Sequence, residues 1–427
     1  MSRCPAERPP VSRLLRRCTA QETSMLQQLA IRFRAAMSAK EFVEASSIAR
    51  QALCIAPDNM GILSDYALSL MRSGAYVDAY AVYKRIHDAP PLKRAKAGAT
   101  WLHGFAEVCG WLGRDQELRR HGHRALVEAD IRFQHGERWT LPAFPSPFDP
   151  SNRTQNVIAY SLFGANPRYC ESAVMNAQIA LELFPRWTCR FYLDRSVPMH
   201  VQHRLSEAGA DLVDMTDDSR RAIQATLWRF LVIDDVAVRR FMVRDADSLL
   251  SERDAAAVEE WLVSNRFFHH MRDYFTHTEL LLAGLWGGCT GVLPRLTECM
   301  MTYSNEHEGS SRFTDQHFLR EILWPTVRES ILNHDSLFGF HGALPFPRHA
   351  PVRWHDTHFH VGSNAAYQSI RGIASVPDGT QQRIELIWDG VTDVFYDAPV
   401  WQKEWRLELP FFLIDRLAQG NLKVCVH

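Results

Sequence analysis

The sequence has 427 residues, of which 46% are hydrophobic and 23% are charged. This length predicts two or three domains that each bury a core, and the composition excludes a disordered or fibrous chain. Lys and Arg number 48 against 49 Asp and Glu, which gives a formal net charge of -1. Proteins that bind nucleic acid usually carry a basic excess, so we expect no nucleic-acid partner.

Residues 1–23 are expected to form a flexible tail. The tail contains five arginines, but no apolar stretch follows them as a secretory signal requires. No window reaches the roughly 18 uninterrupted apolar residues of a membrane-spanning helix, so no transmembrane segment is expected. The nine cysteines are scattered and form no Cys-x-x-Cys pair. This pattern favours reduced thiols and a cytoplasmic protein.

A repeat of 34 residues marks the segment 24–138. The recurring positions are Phe42 and Tyr76, Ala45 and Ala79, Ala52 and Ile86, and Pro57 and Pro91. Stacked helix pairs need such a pattern, because small residues let two helices approach and aromatic residues fill the space between units. A third, looser copy has Gly113 and Ala125 in register. The spacing resembles that of the tetratricopeptide repeat. Such an array either binds a peptide or protein partner or only packs on the next domain, and the sequence leaves both open.

Residues 139–153 contain four prolines and predict an extended linker, because proline removes a backbone donor and disfavours helix before it. In the following segment, 154–374, apolar runs alternate with helical patterns. Strands are predicted at 157–163, 189–193, 211–215, 240–244 and 267–272, and helices at 170–184, 199–208 and 219–236. This alternation predicts a mostly parallel sheet with crossover helices, which binds ligands at the carboxyl ends of its strands.

Two carboxylates follow the strand predicted at 240–244. Asp245 and Asp247 are two residues apart, so both side chains leave the strand on the same side and can reach one divalent cation. Magnesium or manganese held by few protein oxygens keeps coordination positions open for a diphosphate. Turn-capping aspartates can have the same spacing, so the pair gains meaning only from its place at the exit of a strand.

Six segments in order resemble the nucleotide-sugar glycosyltransferases of the GT-A type, in particular bacterial ones with tetratricopeptide repeats. They are LWRF at 227–230, RDADS at 244–248, HMRD at 270–273, GLWG at 284–287, DQHFL at 315–319 and HDS at 334–336, with Arg253, Trp261 and His277 between them. The resemblance covers residues 154–365. It implies an α/β GT-A domain that transfers a sugar from a nucleoside-diphosphate donor to an acceptor. Residues 274–276 depart from the proline-containing turn of that group, so the acceptor loop is expected to differ.

The resemblance also implies a metal centre with Mn²⁺ or Mg²⁺ as cofactor. Asp245 and Asp247 are the expected metal ligands, and a histidine is the expected third ligand. His334, which lies in a matching motif, is preferred over His358 and His360. Isolated histidines are more often surface or core residues, so the assignment among these three stays open.

Further roles are predicted around the two aspartates. The residues expected to bind the nucleotide sugar are Arg229, Arg244, Asp245 and Trp286, and those expected to act in catalysis are Asp273 and Asp315. A guanidinium fits phosphate geometry, and a carboxylate can serve as general base or bind the donor sugar. Four of these residues also have a structural alternative. It is an ion pair for Arg229 and Arg244, and a helix N-cap for Asp315. Trp286 forms either a glycine-flanked turn near the sugar or, as its structural alternative, a packed core aromatic.

The last segment, 375–427, predicts a small β-rich extension, because its apolar residues alternate and Asp389-Gly390 is a turn signal. The predicted function is a metal-dependent glycosyltransferase. Its donor is a nucleotide sugar, a UDP-sugar by default, and its acceptor is a protein or a polysaccharide. Two alternatives remain: a repeat-based binding protein whose transferase-like domain is inactive, and a metal-dependent hydrolase that uses the histidines at 355–360.

Overall fold

The computed structural model describes residues 19–307, 313–354, 359–363 and 367–427. The chain divides into two compact units, with the boundary after Ala125. His358 and residues 1–18 of the predicted tail lie outside the described residues. None of the helices in the described ranges is long and apolar enough to cross a membrane.

The first unit is helical, as predicted. Its helices are α1 (Ala20–Ser38), α2 (Phe42–Ile55), α3 (Met60–Arg72), α4 (Tyr76–His87), the short α5 (Pro91–Arg94), α6 (Trp101–Trp111) and the first half of α7 (Asp115–Phe133). α1 begins within the segment predicted as a tail, because Thr19 and Glu22 form a capping box. Ala45 on α2 and Ala79 on α4 are fully buried, as the repeat predicts. Gly74 has φ 84°, which lets the chain reverse between α3 and α4.

The second unit contains a seven-stranded sheet. Its strands are β1 (Asn156–Leu162), β2 (Thr188–Leu193), β3 (Asp211–Asp214), β4 (Arg240–Arg244), β5 (Phe268–Arg272), β6 (Leu285–Cys289) and β7 (Ile331–Asp335). Their order across the sheet is β3-β2-β1-β4-β6-β5-β7. β6 is antiparallel to both of its neighbours, and the other pairings are parallel. The prediction of a mostly parallel α/β sheet is therefore confirmed.

Helices flank this sheet. They are α8 (Pro167–Leu183), α9 (Met199–Glu207), α10 (Glu252–Leu262), α11 (Leu296–Glu306), α12 (Thr314–Phe318) and α13 (Trp324–Val327), with a π-helical turn between the last two. The α-helix predicted at 219–236 is wrong, because two 3₁₀ helices, Ser219–Ala222 and Ala225–Asp234, lie there. Every side chain from 227 to 233 is buried. An amphipathic α-helix has one apolar face, whereas these residues pack on several sides and form a 3₁₀ helix.

Strand β6 was not predicted. Of the two alternatives given for Trp286, the glycine-flanked turn is wrong, since Trp286 lies within the strand, and the packed core aromatic agrees with its full burial. A Cβ atom at Gly287 would lie 2.6 Å from the carbonyl oxygen of Phe241, and one at Gly288 would lie 2.6 Å from the ring of Phe268. The glycines are therefore needed for close packing inside the sheet.

A second, antiparallel sheet completes the unit, as the C-terminal pattern predicts. Its strands are β8 (Tyr367–Ile373), β9 (Gln381–Trp388), β10 (Val391–Trp401), β11 (Glu404–Pro410) and β12 (Lys423–Val426), in the order β12-β9-β10-β11-β8. A helix, α14 (Phe411–Ala418), connects β11 to β12. The inner face of this sheet shares a hydrophobic core with α8 and α9. The sheet begins at Tyr367, inside the segment assigned from sequence to the transferase domain.

Candidate functional site

A cavity of about 750 Å³ lies beyond the carboxyl ends of β1 and β4. These two strands are neighbours in the sheet. From β1 the chain continues through α8 to β2 and adds strands on one side, whereas from β4 it adds strands on the other side. Such a switch in strand order opens the crevice in which α/β proteins bind ligands. Ser161 and Phe163 come from the end of β1, and Asp245 and Asp247 follow β4.

Arg229 lines the cavity and connects two carboxylates. Its Nη2 donates to Asp315 Oδ2 at 2.8 Å, and its Nη1 donates to Asp245 Oδ1 and to the carbonyl oxygen of Arg244. Arg229 is only 5% exposed. Its Nε is buried and has no hydrogen-bond partner among the residues that the structure describes. A buried donor of this kind can bind an oxygen atom of a ligand.

Asp247 pairs with a second arginine that the sequence interpretation missed. Arg168, in the first turn of α8, donates from Nη2 to Asp247 Oδ2 at 2.7 Å. Its guanidinium faces the rings of Tyr169 and Tyr367, at 5.0 Å and 4.1 Å from their centroids. The predicted helix began three residues too late, at 170 instead of Pro167. The signal that could have revealed Arg168 is a helix N-terminus directly after a central strand, which is a common position for anion binding.

Three carboxylates share this cavity, and their charges interact. Burial raises the pKa of Asp247, the nearby Asp245 raises it further, and Arg168 opposes the shift. Burial also raises the pKa of Asp315, against the effect of Arg229 and together with that of Asp245. Bringing a cation close to these groups would favour their ionised forms.

One part of the cavity wall is aromatic. The rings of Tyr274 and His360 stack with centroids 3.6 Å apart, and His277 lies edge-on to His360 at 5.3 Å. The backbone N–H of Asp273 donates to Nδ1 of His277, and burial holds the pKa of His277 well below its usual value. The imidazole is therefore neutral, and its proton lies on Nε2.

Within the described part of the chain, the residues lining the cavity include Arg229, Asp245, Asp247, Asp315 and His360 from the sequence prediction. They do not include Arg244, Asp273, Trp286 or His334. Arg244 points into the core, where Nε and Nη2 bind both carboxylate oxygens of Asp254 at 3.0 Å and 2.9 Å. Trp286 is fully buried and packs edge-on against Phe230 and Phe241. Both residues have the contacts of their structural alternatives.

Asp273 and His334 are also bound elsewhere. Asp273 accepts from Nη1 of Arg253 at 2.7 Å and from the backbone N–H of Val361 at 3.1 Å, so it holds the segment 359–363 in place. His334 is fully buried. Its Nδ1 lies 2.9 Å from His269 Nε2, and its Nε2 lies 3.0 Å from Glu260 Oε2.

The cavity offers few protein ligands for a metal ion, and those at Asp245 and Asp247 are carboxylate oxygens. In the described residues, no group of three or more His, Cys, Asp or Glu side chains is placed to hold a metal ion. Asp245 and Asp247 supply only hard oxygen donors, and each has one oxygen bound to an arginine. This set suits Mg²⁺ or Mn²⁺ bound through one or two carboxylates, with substrate phosphates and water as the other ligands.

No protein-family model matches the sequence, and no curated protein matches it. Among solved structures, the chain is similar to a mutant of the Thermobaculum terrenum O-GlcNAc transferase, with 13% sequence identity and a TM-score of 0.26. The match covers 53% of this chain and 51% of that chain, so it spans about half of each. At this identity and TM-score the similarity supports no conclusion about function.

Proposed function

We propose that this chain is a metal-dependent glycosyltransferase that moves a sugar from a nucleoside-diphosphate sugar to a protein or glycan acceptor. The supporting observation is the cavity at the switch point of the sheet, which brings Asp245, Asp247 and Asp315 together with Arg168 and Arg229. Carboxylates for a cation and guanidinium groups for phosphate oxygens are what a diphosphate donor requires. A UDP-sugar is the default donor, on the resemblance of the sequence motifs.

In this proposal each side chain has a defined task. Asp245 and Asp247 hold Mn²⁺ or Mg²⁺, which would neutralise the departing diphosphate. Arg229 binds a phosphate oxygen through its unpaired Nε. Asp315 accepts a hydrogen bond from the acceptor hydroxyl and takes its proton, because a carboxylate can accept more hydrogen bonds than the two that Asp315 makes here.

The aromatic wall is the second half of the proposed site. Tyr274 and His360 contribute a stacked pair of rings, and Nε2 of His277 is a hydrogen-bond donor. Sugar rings present C–H faces and hydroxyl groups, so this wall is proposed to bind the transferred sugar or the acceptor. Asp273, which holds the segment 359–363, is proposed to position this wall. The helical unit is proposed to bind a peptide or protein partner.

The test is donor turnover by the full-length protein. Purified protein with manganese is incubated with a panel of nucleotide sugars, and slow donor hydrolysis and thermal stabilisation are measured. Asp245→Asn and Asp247→Asn are expected to abolish hydrolysis while the circular dichroism spectrum stays unchanged. Asp217→Asn, at a side chain that is 95% exposed, is the matched control. Near-normal turnover by Asp247→Asn would contradict the metal assignment, and a wild-type protein that neither binds nor hydrolyses any donor would favour the inactive scaffold.

A further inference from the structure

Arg168 is held at the cavity by two parts of the chain that are far apart in sequence. Its own helix begins at Pro167, and Asn166 caps that helix by accepting from the backbone N–H of Arg168 at 2.9 Å. The antiparallel sheet provides the other support. Tyr367 of β8 lies against the guanidinium at 4.1 Å, and Nδ2 of Asn166 donates to Glu408 Oε2 of β11 at 3.0 Å.

The guanidinium has bonding capacity left over. Nη2 binds Asp247, while Nε is buried without a hydrogen-bond partner in the part of the chain that the structure describes. The side chain of Arg168 is 13% exposed and that of Asp247 is 12% exposed, so both are largely shielded from water. The two charges of an ion pair that is shielded from water attract each other strongly. Removing either partner leaves the other charge buried without compensation, which is energetically unfavourable.

A divalent cation at Asp247 would compete with Arg168, because it neutralises the carboxylate and repels the positively charged guanidinium. If Asp247 binds a divalent ion, Arg168 loses its counter-ion but remains next to the cavity, because its guanidinium also interacts with the rings of Tyr169 and Tyr367. The anion that then lies nearest is the diphosphate that arrives with the metal. A guanidinium matches phosphate oxygens with two parallel N–H groups.

We propose that Arg168 is an exchangeable counter-ion, which pairs with Asp247 in the substrate-free protein and binds the donor diphosphate once a divalent cation takes Asp247. Tyr367 positions Arg168 for this exchange, so the C-terminal antiparallel sheet is part of the donor site. This inference rests on the proposed glycosyltransferase function. It assigns a role to a residue and to a sheet for which the sequence predicted none.

The exchange predicts opposite effects of one substitution on two ligands. In Arg168→Ala, Mn²⁺ alone should bind several-fold more tightly, because its competitor at Asp247 is gone. The same variant should bind UDP with saturating Mn²⁺ at least about tenfold more weakly, because a charged hydrogen bond to the diphosphate is lost. Titration calorimetry measures the UDP affinity, and the electron paramagnetic resonance signal of free Mn²⁺ measures the metal affinity.

Variants on β8 test the contribution of the sheet. Tyr367→Leu removes the ring and should weaken UDP binding, whereas Tyr367→Phe keeps the ring and should recover most of the affinity. Arg371→Ala is the matched control on the same strand, since its side chain is 68% exposed and lies 3.7 Å from Glu404. It should change neither affinity.

Each outcome decides between the alternatives. A parallel loss of Mn²⁺ and UDP affinity in Arg168→Ala would mean a purely structural role and would overturn the proposal, as would unchanged affinities. Equal UDP affinity in Tyr367→Leu and the wild-type protein would remove the sheet from the site. A wild-type protein that binds Mn²⁺ but no UDP or other nucleoside diphosphate would overturn the proposed function instead. In that case a gain in Mn²⁺ affinity in Arg168→Ala would still support the pairing with Asp247, and its absence would refute it.

Discussion

At the scale of single residues, Gly284 determines where the carboxylate of Asp245 can lie. A Cβ atom at position 284 would lie 2.0 Å from Asp245 Oδ2, which is closer than any real contact. The side chain of Asp245 is 42% exposed, so its Oδ2 and its Cγ, which would lie 2.5 Å away, can move and the carboxylate is displaced. The backbone nitrogen of Asp245, at 3.1 Å, must also shift slightly. We expect Gly284→Ala to weaken binding of Mn²⁺ and UDP by about tenfold or more.

A double-mutant cycle provides the control for this prediction. Gly284→Ala acts through Asp245, so it should cause no further loss of affinity in an Asp245→Ala background. Calorimetry measures the affinity of all four proteins, and circular dichroism checks that each is folded. Additive losses in the double variant would show that Gly284 has a separate role.

In the helical unit, His121 makes stability depend on pH. It is 1% exposed and stacks on Phe105 at 4.3 Å. Burial, with the neighbouring His87 and arginines, lowers the pKa of His121 from 6.5 to about 4. The folded protein therefore favours the neutral form of His121. The unfolding free energy should decrease as the pH drops from 6.5 towards 4, because the unfolded state binds the proton more readily. Between about pH 7 and about pH 5 this amounts to roughly 2 kcal/mol.

Urea unfolding at these two pH values measures the effect. His121→Leu cannot titrate, so the difference in unfolding free energy between the two pH values should be smaller than in the wild-type protein. His123→Leu, at an exposed position two residues further along α7, is the control and should keep the wild-type difference. An identical pH dependence in all three proteins would contradict the role of His121.

At the scale of elements, a buried ion pair connects strand β4 to helix α10. The side chains of Arg244 and Asp254 are 2% and 3% exposed, and Arg244 also donates to the carbonyl oxygens of Val243 and Trp286. Arg244→Met would leave the carboxylate of Asp254 buried without its partner. We expect this variant to lose about 3–5 kcal/mol of unfolding free energy.

The partner substitution separates stability from ligand binding. Arg244→Met combined with Asp254→Leu replaces both charges by apolar groups, so much of the lost stability should return. Urea unfolding and UDP binding are measured on the same preparations. If Arg244→Met lost UDP affinity without losing stability, Arg244 would belong to the donor site, as the sequence motifs suggested.

At the scale of the whole molecule, residues 126–153 belong to the second unit and are hydrogen-bonded to its later elements. Asp130 accepts from Nε1 of Trp324 and from Nε of Arg328, both at 2.8 Å. The backbone N–H of Trp139 donates to Thr326 Oγ1 at 2.9 Å, and Arg240 donates to the carbonyl oxygen of Ser146. The proline-rich stretch predicted as a linker therefore lies against the α/β sheet and its helices.

These contacts predict where the chain can be shortened. A protein that begins at Leu126 should fold and keep donor hydrolysis, because this start coincides with the boundary between the two compact units. A protein that begins at Thr154 should be less stable by at least about 3 kcal/mol, because several hydrogen bonds to charged groups are lost. Urea unfolding compares the two, and Asp130→Ala in the full-length chain should reproduce part of the loss. Equal stability of the two shortened proteins would contradict this account.

Much of the fold could be predicted from local patterns. The 34-residue repeat indicated the helix pairs, since Ala45 and Ala79 recur where helices must approach. Strands β1, β2 and β4 were predicted within a residue or two, because strands buried on both faces have continuous apolar runs. The 3₁₀ stretch Ala225–Asp234 and the glycine-containing β6 were missed, because neighbours distant in sequence determine their backbones.

For the candidate site, the sequence determined the local part. Asp245 and Asp247 were predicted together because their spacing after a strand fixes the side of the sheet on which they emerge. Only the tertiary structure decided which arginines join them, because Arg168 comes 79 residues before Asp247 and both Arg229 and Arg244 are plausible partners by sequence alone. It turned Arg244 into the core towards Asp254 and Arg229 towards the cavity. Spacing along the chain reports on neighbours within a strand or helix turn, whereas the pairing of distant charges depends on the order of the strands and on how the two sheets pack.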